Sequence, residues 1–139
     1  MAWLAAACVV GVAALLFVAW QMLGSMCRNE VLTEVVSPGG QHKVVVFQRD
    51  CGATTGFSTQ ISLIRANEHL DNDSGNIFVA DTNHGDAPSG PGGGPAVSVN
   101  WLSSDAVEVL HHPKTRIFLA IPKASGVAVS YRAAVQAAN

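Results

Sequence analysis

The sequence predicts a mainly β fold, in which an N-terminal transmembrane helix is followed by a small antiparallel β-sandwich or curled sheet. No Asp, Glu, Lys or Arg precedes Arg28, so all 8 basic and all 10 acidic side chains lie from that residue onward. Beyond it, short β-rich runs alternate with turn residues, and after residue 30 no stretch of about ten or more residues shows the apolar periodicity of a helix. We therefore divide the chain into an anchor, 1–27, and a β-rich domain, 28–139.

The apolar run of the anchor, Ala2–Met26, reads AWLAAACVVGVAALLFVAWQMLGSM. About 20 apolar residues in a helix cross a hydrocarbon core of ~30 Å. Trp3 and Trp20 stand near its ends, where indole rings favour the headgroup region. No basic residue precedes the run, it is too long for the core of a cleaved signal peptide, and it ends in a poor cleavage site, so we predict an uncleaved signal anchor. Lipid attachment at Cys27 or Cys8 is the alternative, although neither stands in a good lipoprotein signal.

The predicted strands are short runs rich in β-branched and aromatic residues, bounded by turn residues. In chain order they are Val31–Val36, Lys43–Arg49, Thr59–Arg65, Asn76–Ala80, Ala96–Leu102, Ala106–His111, Ile117–Ile121 and Val127–Arg132. The turn Ser37-Pro38-Gly39-Gly40 separates the first two, and Ser103-Ser104-Asp105 makes a hairpin-sized connection before Ala106–His111. This spacing is typical of an antiparallel sandwich or a curled sheet.

Alternation of apolar and polar residues predicts which side chains face the core. Lys43–Arg49 (KVVVFQR) is apolar on both faces and is predicted to be a central strand. In Thr59–Arg65, Gln60 and Ser62 are predicted to face solvent. The predicted inward residues of the alternating strands are Ile61, Leu63, Val97, Val99, Trp101, Val107, Val109, Val127, Val129 and Tyr131.

Two segments resemble hairpins of TolB-type β-propeller blades. They are SPGG followed by KVVVF, within 37–47, and NWLSSD followed by AVEVL, within 100–110. A closed propeller needs at least four blades of ~40 residues, which is more than the chain after the anchor contains. The resemblance therefore implies blade-like hairpins in a small sheet and not a ring.

The block QRDCGATTGFSTQ, residues 48–60, is distinctive. Together with Cys27 upstream and Phe78-Val79-Ala80-Asp81 downstream, it resembles a family of small membrane-anchored bacterial proteins over most of the chain after residue 27. That family has no established activity, so the resemblance implies a bacterial source and transfers no functional residue. With the anchor, such a source predicts a single-pass protein of the bacterial inner membrane.

The cysteines bear on the compartment. Cys27 and Cys51 lie outside the membrane segment, whereas Cys8 lies within it. Such a pair in a small domain predicts a disulfide if the compartment is oxidising, and closing a loop of about 25 residues contributes about 3.5 kcal/mol on the chain-entropy argument. We therefore predict an extracytoplasmic domain. The few basic residues flanking the helix slightly favour the opposite orientation, in which both thiols would be free in the cytoplasm.

Charge and motif spacing limit the function. Net charge is −2 and the basic residues are scattered, so we predict no nucleic-acid partner, contact with the membrane only through the helix, and a protein as the remaining kind of partner. No base can be assigned to Cys51 as a nucleophile. We predict no catalytic residue, metal or cofactor, because the one candidate metal set lacks the tight ligand spacing of such sites. That set is Asp81, His84, Asp86, His111 and His112.

Two loops form the predicted binding surface, because each follows a predicted core strand that would hold it rigidly. They are Asp50–Thr59 and Asp81–Pro95, and the second includes the run GDAPSGPGGGP, predicted to be a flexible connection too polar to pack. The candidate binding residues are Thr54, Thr55, Phe57, Ser58, Asp81, His84 and Asp86. The sequence thus predicts a membrane-anchored extracytoplasmic interaction or accessory domain. The alternatives are a Cys- or metal-dependent hydrolase and a toxin-neutralising partner protein at the membrane.

Overall fold

The computed structural model describes residues 2–24, 26–52 and 55–135, and in the N-terminal helix it describes side chains from Cys8 to Gln21. This helix, α1, spans Ala2–Gly24. Among the described residues, no helix is long and apolar enough to cross a membrane. The part of the chain after the helix is built from strands, so the mainly β prediction is confirmed.

Each predicted strand is present, with its bounds within about three residues of those predicted, as is usual for strand ends. The strands are β1 Arg28–Val36, β2 His42–Asp50, β3 Ser58–Arg65, β4 Phe78–Asp81, β5 Val97–Ser103, β6 Ala106–His111, β7 Arg116–Ala120, β8 Lys123–Ala124 and β9 Val127–Ala133. Only the two-residue β8 was not predicted.

The strands form two sheets. The five-stranded sheet has the order β1-β2-β3-β4-β7, and the four-stranded sheet has the order β5-β6-β9-β8. All neighbours in the five-stranded sheet are antiparallel. In the four-stranded sheet β6 and β9 are parallel, which differs from the antiparallel prediction. The reason is that the chain leaves β6, forms β7 in the other sheet, and returns through β8 before β9.

The main core lies between the two sheets. The five-stranded sheet contributes alternate residues of its central strands, and the four-stranded sheet contributes residues of β6 and β9. The buried members are Val44, Val46, Ile61, Leu63, Ile77, Phe78, Ala80, Val107, Val109, Val127 and Val129. The predicted inward residues Ile61, Leu63, Val107, Val109, Val127 and Val129 are therefore confirmed as buried, while Val97, Val99, Trp101 and Tyr131 pack against this core and are partly buried.

Two aromatic side chains also join the sheets through hydrogen bonds. The Trp101 indole N–H donates to the carbonyl oxygen of Val35 at 3.0 Å. The Tyr131 hydroxyl lies 2.7 Å from the carbonyl oxygen of Ile77 and 2.9 Å from that of Ile121, and burial raises the pKa of Tyr131 to about 12. Each ring thus packs on the core while its polar atom finds a backbone partner.

The outer face of the five-stranded sheet is also covered. The predicted exposure of Gln60 and Ser62 is wrong, because their exposed fractions are 5% and 4%. The segment 66–77 folds back over this face and supplies their partners. Ser74 Oγ and the Gly75 backbone N–H donate to Gln60 Oε1 at 2.9 and 2.7 Å. Val45 and Phe47 are fully buried, and by strand alternation they lie on this same face, which confirms β2 as a central strand.

The end of the glycine-rich run, residues 92–95, packs against the sheet, so the prediction that the run is too polar to pack is wrong there. Thr59 Oγ1 donates to the carbonyl oxygen of Pro95 at 2.8 Å. A Cβ atom on Gly94 would lie 2.5 Å from Thr59 Oγ1 and 2.6 Å from Thr59 N. The run can pack because glycine lets one backbone approach another more closely than any other residue does.

Candidate functional site

Both predicted binding loops lie at one end of the five-stranded sheet, where β2 and β4 end and β1, β3 and β7 begin. This end of the sheet is here called the site edge. The register pairs Arg28 with Asp50 in β1 and β2, Ser58 with Asp81 in β3 and β4, and Asp81 with Arg116 in β4 and β7. The loop after Asp50 leaves the sheet at this edge, and so does the loop after Asp81. The antiparallel register therefore brings together segments that are far apart in the sequence.

The Cys27–Cys51 disulfide lies at the site edge and confirms the predicted bridge, with an S–S distance of 2.08 Å. Cys27 is the residue before β1, and Cys51 is the residue after β2. The carbonyl oxygen of Cys27 also accepts a hydrogen bond from Asn72 Nδ2 at 2.8 Å. The start of the β domain and the first binding loop are thus covalently joined.

The two loops meet in a surface depression of about 500 Å³. Phe57 comes from the first loop, and Asp81 and His84 come from the second, as predicted. Arg116 from β7 forms a further wall. The full lining is Gly56, Phe57, Asp81, Thr82, His84, Gly93 and Arg116.

Arg116 organises the polar side of the depression. Its Nε–H donates to Asp81 Oδ1 at 3.0 Å, and its Nη2 forms an ion pair with Asp81 Oδ2. The Asn83 backbone N–H donates to the same Asp81 Oδ1 at 2.8 Å. These donors lower the pKa of Asp81, the Arg116 hydrogen bond being the largest cause, while burial opposes the shift. The carboxylate is therefore held charged and its oxygens are already engaged.

His84 completes this network from an unusual backbone conformation. Its Nε2 lies 3.2 Å from Arg116 Nη1. A guanidinium N–H can only donate, so a hydrogen bond here requires this imidazole nitrogen to be the acceptor and the ring proton to be on Nδ1. Asn83 and His84 have φ values of 51° and 59°, and Gly85 follows with 93°. Consecutive non-glycine residues in the left-handed region are uncommon and often mark functional sites.

Phe57 forms the apolar side of the depression. A Cβ atom on Gly93 would lie 2.7 Å from the Phe57 ring, so the ring rests on the bare backbone of the glycine-rich run. Phe57 is nevertheless 45% exposed. Beside the depression, the Arg116 guanidinium carbon lies 5.1 Å from the centroid of the Phe118 ring, within the range of a cation–π contact. The site therefore combines exposed aromatic surface with hydrogen-bond donors.

Three other candidate binding residues, Thr55, Ser58 and Asp86, lie outside the lining. Thr55 donates to the Gly52 carbonyl oxygen at 3.1 Å and closes a local turn. Ser58 donates to the Arg49 carbonyl oxygen at 3.3 Å. Asp86 is exposed in the second loop, and Thr54 lies outside the described residues. Sequence reasoning did not identify Arg116, because its place in the site depends on the pairing of β4 with β7.

The described residues form no assembled site for the alternative function, a Cys- or metal-dependent hydrolase. Cys51 is bonded to Cys27, so its sulfur is not a free nucleophile while the bridge is intact. His111 lies at the end of β6, where its Nδ1 is 3.0 Å from the His112 carbonyl oxygen. Within residues 2–24, 26–52 and 55–135, no group of three or more His, Cys, Asp and Glu side chains could hold a metal ion. The chain matches no protein-family model, no curated protein and no solved structure.

Proposed function

We propose that this chain is a membrane-anchored extracytoplasmic interaction domain, and that it binds a protein partner at the site edge. The observation that carries the proposal is the meeting of Phe57, His84 and Arg116 in one depression. These residues come from two loops and an edge strand held by a rigid β-sandwich, an arrangement common in binding sites.

The anchoring part of the proposal rests on Ala2–Gly24. This segment is helical and carries no charged residue, and the first charge in the chain is Arg28. The charge-free run Ala2–Met26 has about the 20 mostly apolar residues that a helix needs to cross a hydrocarbon core of ~30 Å. Its described apolar side chains are exposed, including Leu15 at 72% and Trp20 at 79%. A lipid environment would remove this apolar surface from water.

The extracytoplasmic side of the proposal is supported by the disulfide. Disulfides persist in the periplasm and outside cells and are rare in the reducing cytosol. The bridge joins the residue before β1 to the residue after β2, and Cys27 is three residues beyond the end of α1. Three residues span at most about 11 Å. The first binding loop is therefore tied close to the end of the anchor, and the site edge would face a partner at the membrane surface.

The polar groups that remain available in the depression are mainly donors. Both Asp81 oxygens already accept hydrogen bonds. Arg116 Nη1 and Nη2 each carry a second N–H beyond those used, and His84 presents its Nδ1–H. The site is therefore suited to a partner group that accepts hydrogen bonds, placed next to an apolar group that contacts Phe57.

Binding is favoured over catalysis by the chemistry of the same residues. The imidazole nitrogen that could act as a base accepts from Arg116, and a general base needs that nitrogen within reach of the proton it removes. In the described part of the depression no Ser or Cys side chain is hydrogen-bonded to His84. Arg116 and His84 thus act as fixed donors for recognition.

Site-specific photocross-linking in bacterial cells tests the proposal. A photoreactive amino acid at position 57 should give a discrete protein adduct, because that side chain borders the depression. The matched position is Ser104, which is exposed in the β5–β6 turn. We expect no adduct from position 104, and Arg116→Gln should remove the adduct from position 57. Equal adducts from both positions, or none from position 57, would refute the proposed binding surface.

A further inference from the structure

The two edge strands of the five-stranded sheet, β1 and β7, differ in how well their unpaired sides are protected. The terminal strands of this sheet are β1 and β7, and each has a strand partner on one side only among the described residues. An unpaired edge presents backbone N–H and C=O groups that another extended chain can bind. Proteins usually protect such edges with charges or with contacts to their own chain.

The β1 edge is protected in both ways. The Asn29 backbone N–H donates to Asn72 Oδ1 at 3.1 Å, and the Val35 carbonyl oxygen accepts from Trp101. The strand also carries charged residues whose side chains are exposed, Glu30 and Glu34. Another chain would have to displace these contacts and bury these charges.

In the part of the chain that the structure describes, the β7 edge lacks this protection. After Arg116 the strand reads Ile117-Phe118-Leu119-Ala120, without a charge or a proline. Phe118 is 61% exposed and Ile117 is 36% exposed. The pairing with β4 shifts between Val79 and Ala80, so Phe118 is an additional residue in β7. Such bulges re-aim a side chain and occur next to functional sites. Here the ring lies beside Arg116 at the depression.

We propose that an extended segment of the partner protein adds antiparallel to β7 as a sixth strand of this sheet. The segment carries apolar side chains opposite Ile117 and Phe118, and an acidic side chain where it passes Arg116 and His84. The inference rests on the proposed binding role and specifies the kind of partner. Backbone pairing supplies affinity, and side-chain contacts supply specificity, as in other cases of strand addition.

The sheet already contains an example of the required chemistry. The strand β4 pairs antiparallel with the other side of β7 and places Asp81 opposite Arg116. Its sequence from Asn76 is NIFVAD, an apolar segment ending in a carboxylate. A partner segment of the same type would match the unpaired side of β7, and its carboxylate would reach the second N–H groups of Arg116.

A second copy of this chain fits the edge less well. The five residues of β7 are far fewer than the roughly 20–30 residues per partner of a standard interface. In antiparallel self-pairing centred on Phe118, Pro122 and Lys123 of one copy would follow Ala120 past Arg116 of the other. In this register Ala120 lies opposite Arg116 and Pro122 lies opposite Lys114, so no carboxylate meets Arg116, and proline cannot donate a backbone hydrogen bond. The depression would then remain unfilled by a complementary group.

The test uses the full-length, ¹⁵N-labelled protein in detergent micelles and a synthetic acetylated peptide, NIFVAD. We expect the peptide to shift the NMR signals of the Ile117–Ala120 amides and to slow their hydrogen exchange. Phe118→Lys should weaken binding at least ~10-fold, or about 1.4 kcal/mol, while Val31→Lys on the β1 edge should stay within about twofold. The peptide NIFVAK should also bind at least ~10-fold less tightly, because its lysine meets Arg116; this arm needs no protein variant.

Several results would overturn the inference. One is the absence of shifts in β7 at a peptide concentration of about 5 mM, well above the ~1 mM range of weak binding. Shifts that extend to β3 would mean that the peptide replaces β4. A dimer of the wild type that Phe118→Lys abolishes would identify a second copy as the occupant. If position 57 cross-links to a protein while β7 does not respond, this inference fails and the proposed function stands; if position 57 gives no adduct, the proposed function fails.

Discussion

Trp101 in the four-stranded sheet donates its indole N–H to the carbonyl oxygen of Val35 in the five-stranded sheet, at 3.0 Å. The ring packs on the main core while remaining partly exposed. We expect Trp101→Ala to lower the free energy of unfolding by roughly 2–4 kcal/mol, below the ~3–5 kcal/mol of a fully buried tryptophan because this ring is only partly buried. Thermal and urea unfolding followed by circular dichroism measure this. Leu102→Ala, at an exposed position of the same strand, should change stability by less than about 0.5 kcal/mol; equal effects of the two changes would refute the inward register of Trp101.

Gly94 is predicted to tolerate no side chain. A Cβ atom there would lie 2.5 Å from Thr59 Oγ1 and 2.6 Å from the Thr59 backbone nitrogen. Gly94→Ala should therefore cost about 2 kcal/mol or more, because the run at 85–95 must move away from β3. Gly56→Ala is the matched control, since no atom lies within 4 Å of a Cβ at that position. Identical urea unfolding midpoints for both variants would contradict the close packing of the run.

The ion pair of Asp81 with Arg116 predicts a pH-dependent stability. The folded state lowers the pKa of Asp81. Its contribution is therefore present above the unfolded pKa, about 3.9, and is lost as pH falls through the lower folded value. Asp81→Asn should melt below the wild type at pH 7, and the difference should shrink as the pH falls below about 4. Asp86→Asn, at an exposed position outside the depression, should follow the wild type throughout. A difference for Asp81→Asn that does not change with pH would show that the ion pair is not responsible.

The disulfide predicts a defined thiol count in the cell. Cys27 and Cys51 are bonded to each other, whereas Cys8 is free. Thiol labelling of the denatured protein, after rapid quenching of cells, should modify one cysteine before reduction and three after it. Cys27→Ser should destabilise the domain by about 3.5 kcal/mol, since a loop of about 25 residues is no longer closed in the unfolded state. Full labelling of all three cysteines without reductant would argue for a cytoplasmic domain.

The proposed anchor predicts integral membrane association. Alkaline carbonate removes peripheral proteins and should leave the full-length chain in the membrane pellet. Replacing Leu15 and Leu16, within the apolar helix, by Arg should release the chain, because each charge at the centre of a membrane helix costs about 2.5–3.5 kcal/mol on the insertion scale. Phe118→Lys is the control, because it introduces a charge at an exposed apolar position of the β domain and should leave the chain in the membrane pellet. Extraction of the wild type by carbonate would contradict the anchor.

The positions of the strands and the inward faces of β3, β6 and β9 could be predicted from the sequence. Side chains alternate between the faces of a strand, so the pattern of Val107 and Val109 alone indicates which face meets the core. The bridge between Cys27 and Cys51 was predictable because they are the only cysteines outside the apolar run. The strand positions, the inward faces and the disulfide depend on local pattern or composition. None of them requires knowledge of which strands become neighbours.

Only the tertiary structure decided how distant segments meet. Gln60 alternates as a solvent-facing residue would, yet the segment 66–77 buries it and supplies its hydrogen bonds. The run at 85–95 has a linker-like composition, yet its end packs because Gly94 fits against Thr59. Arg116 enters the depression through the pairing of β4 with β7. The sequence alone determined the two loops that supply Phe57 and His84. Arg116, which connects these loops, could be identified only from the order of strands in the sheet. Strand pairing brings together backbone segments that no local sequence pattern links.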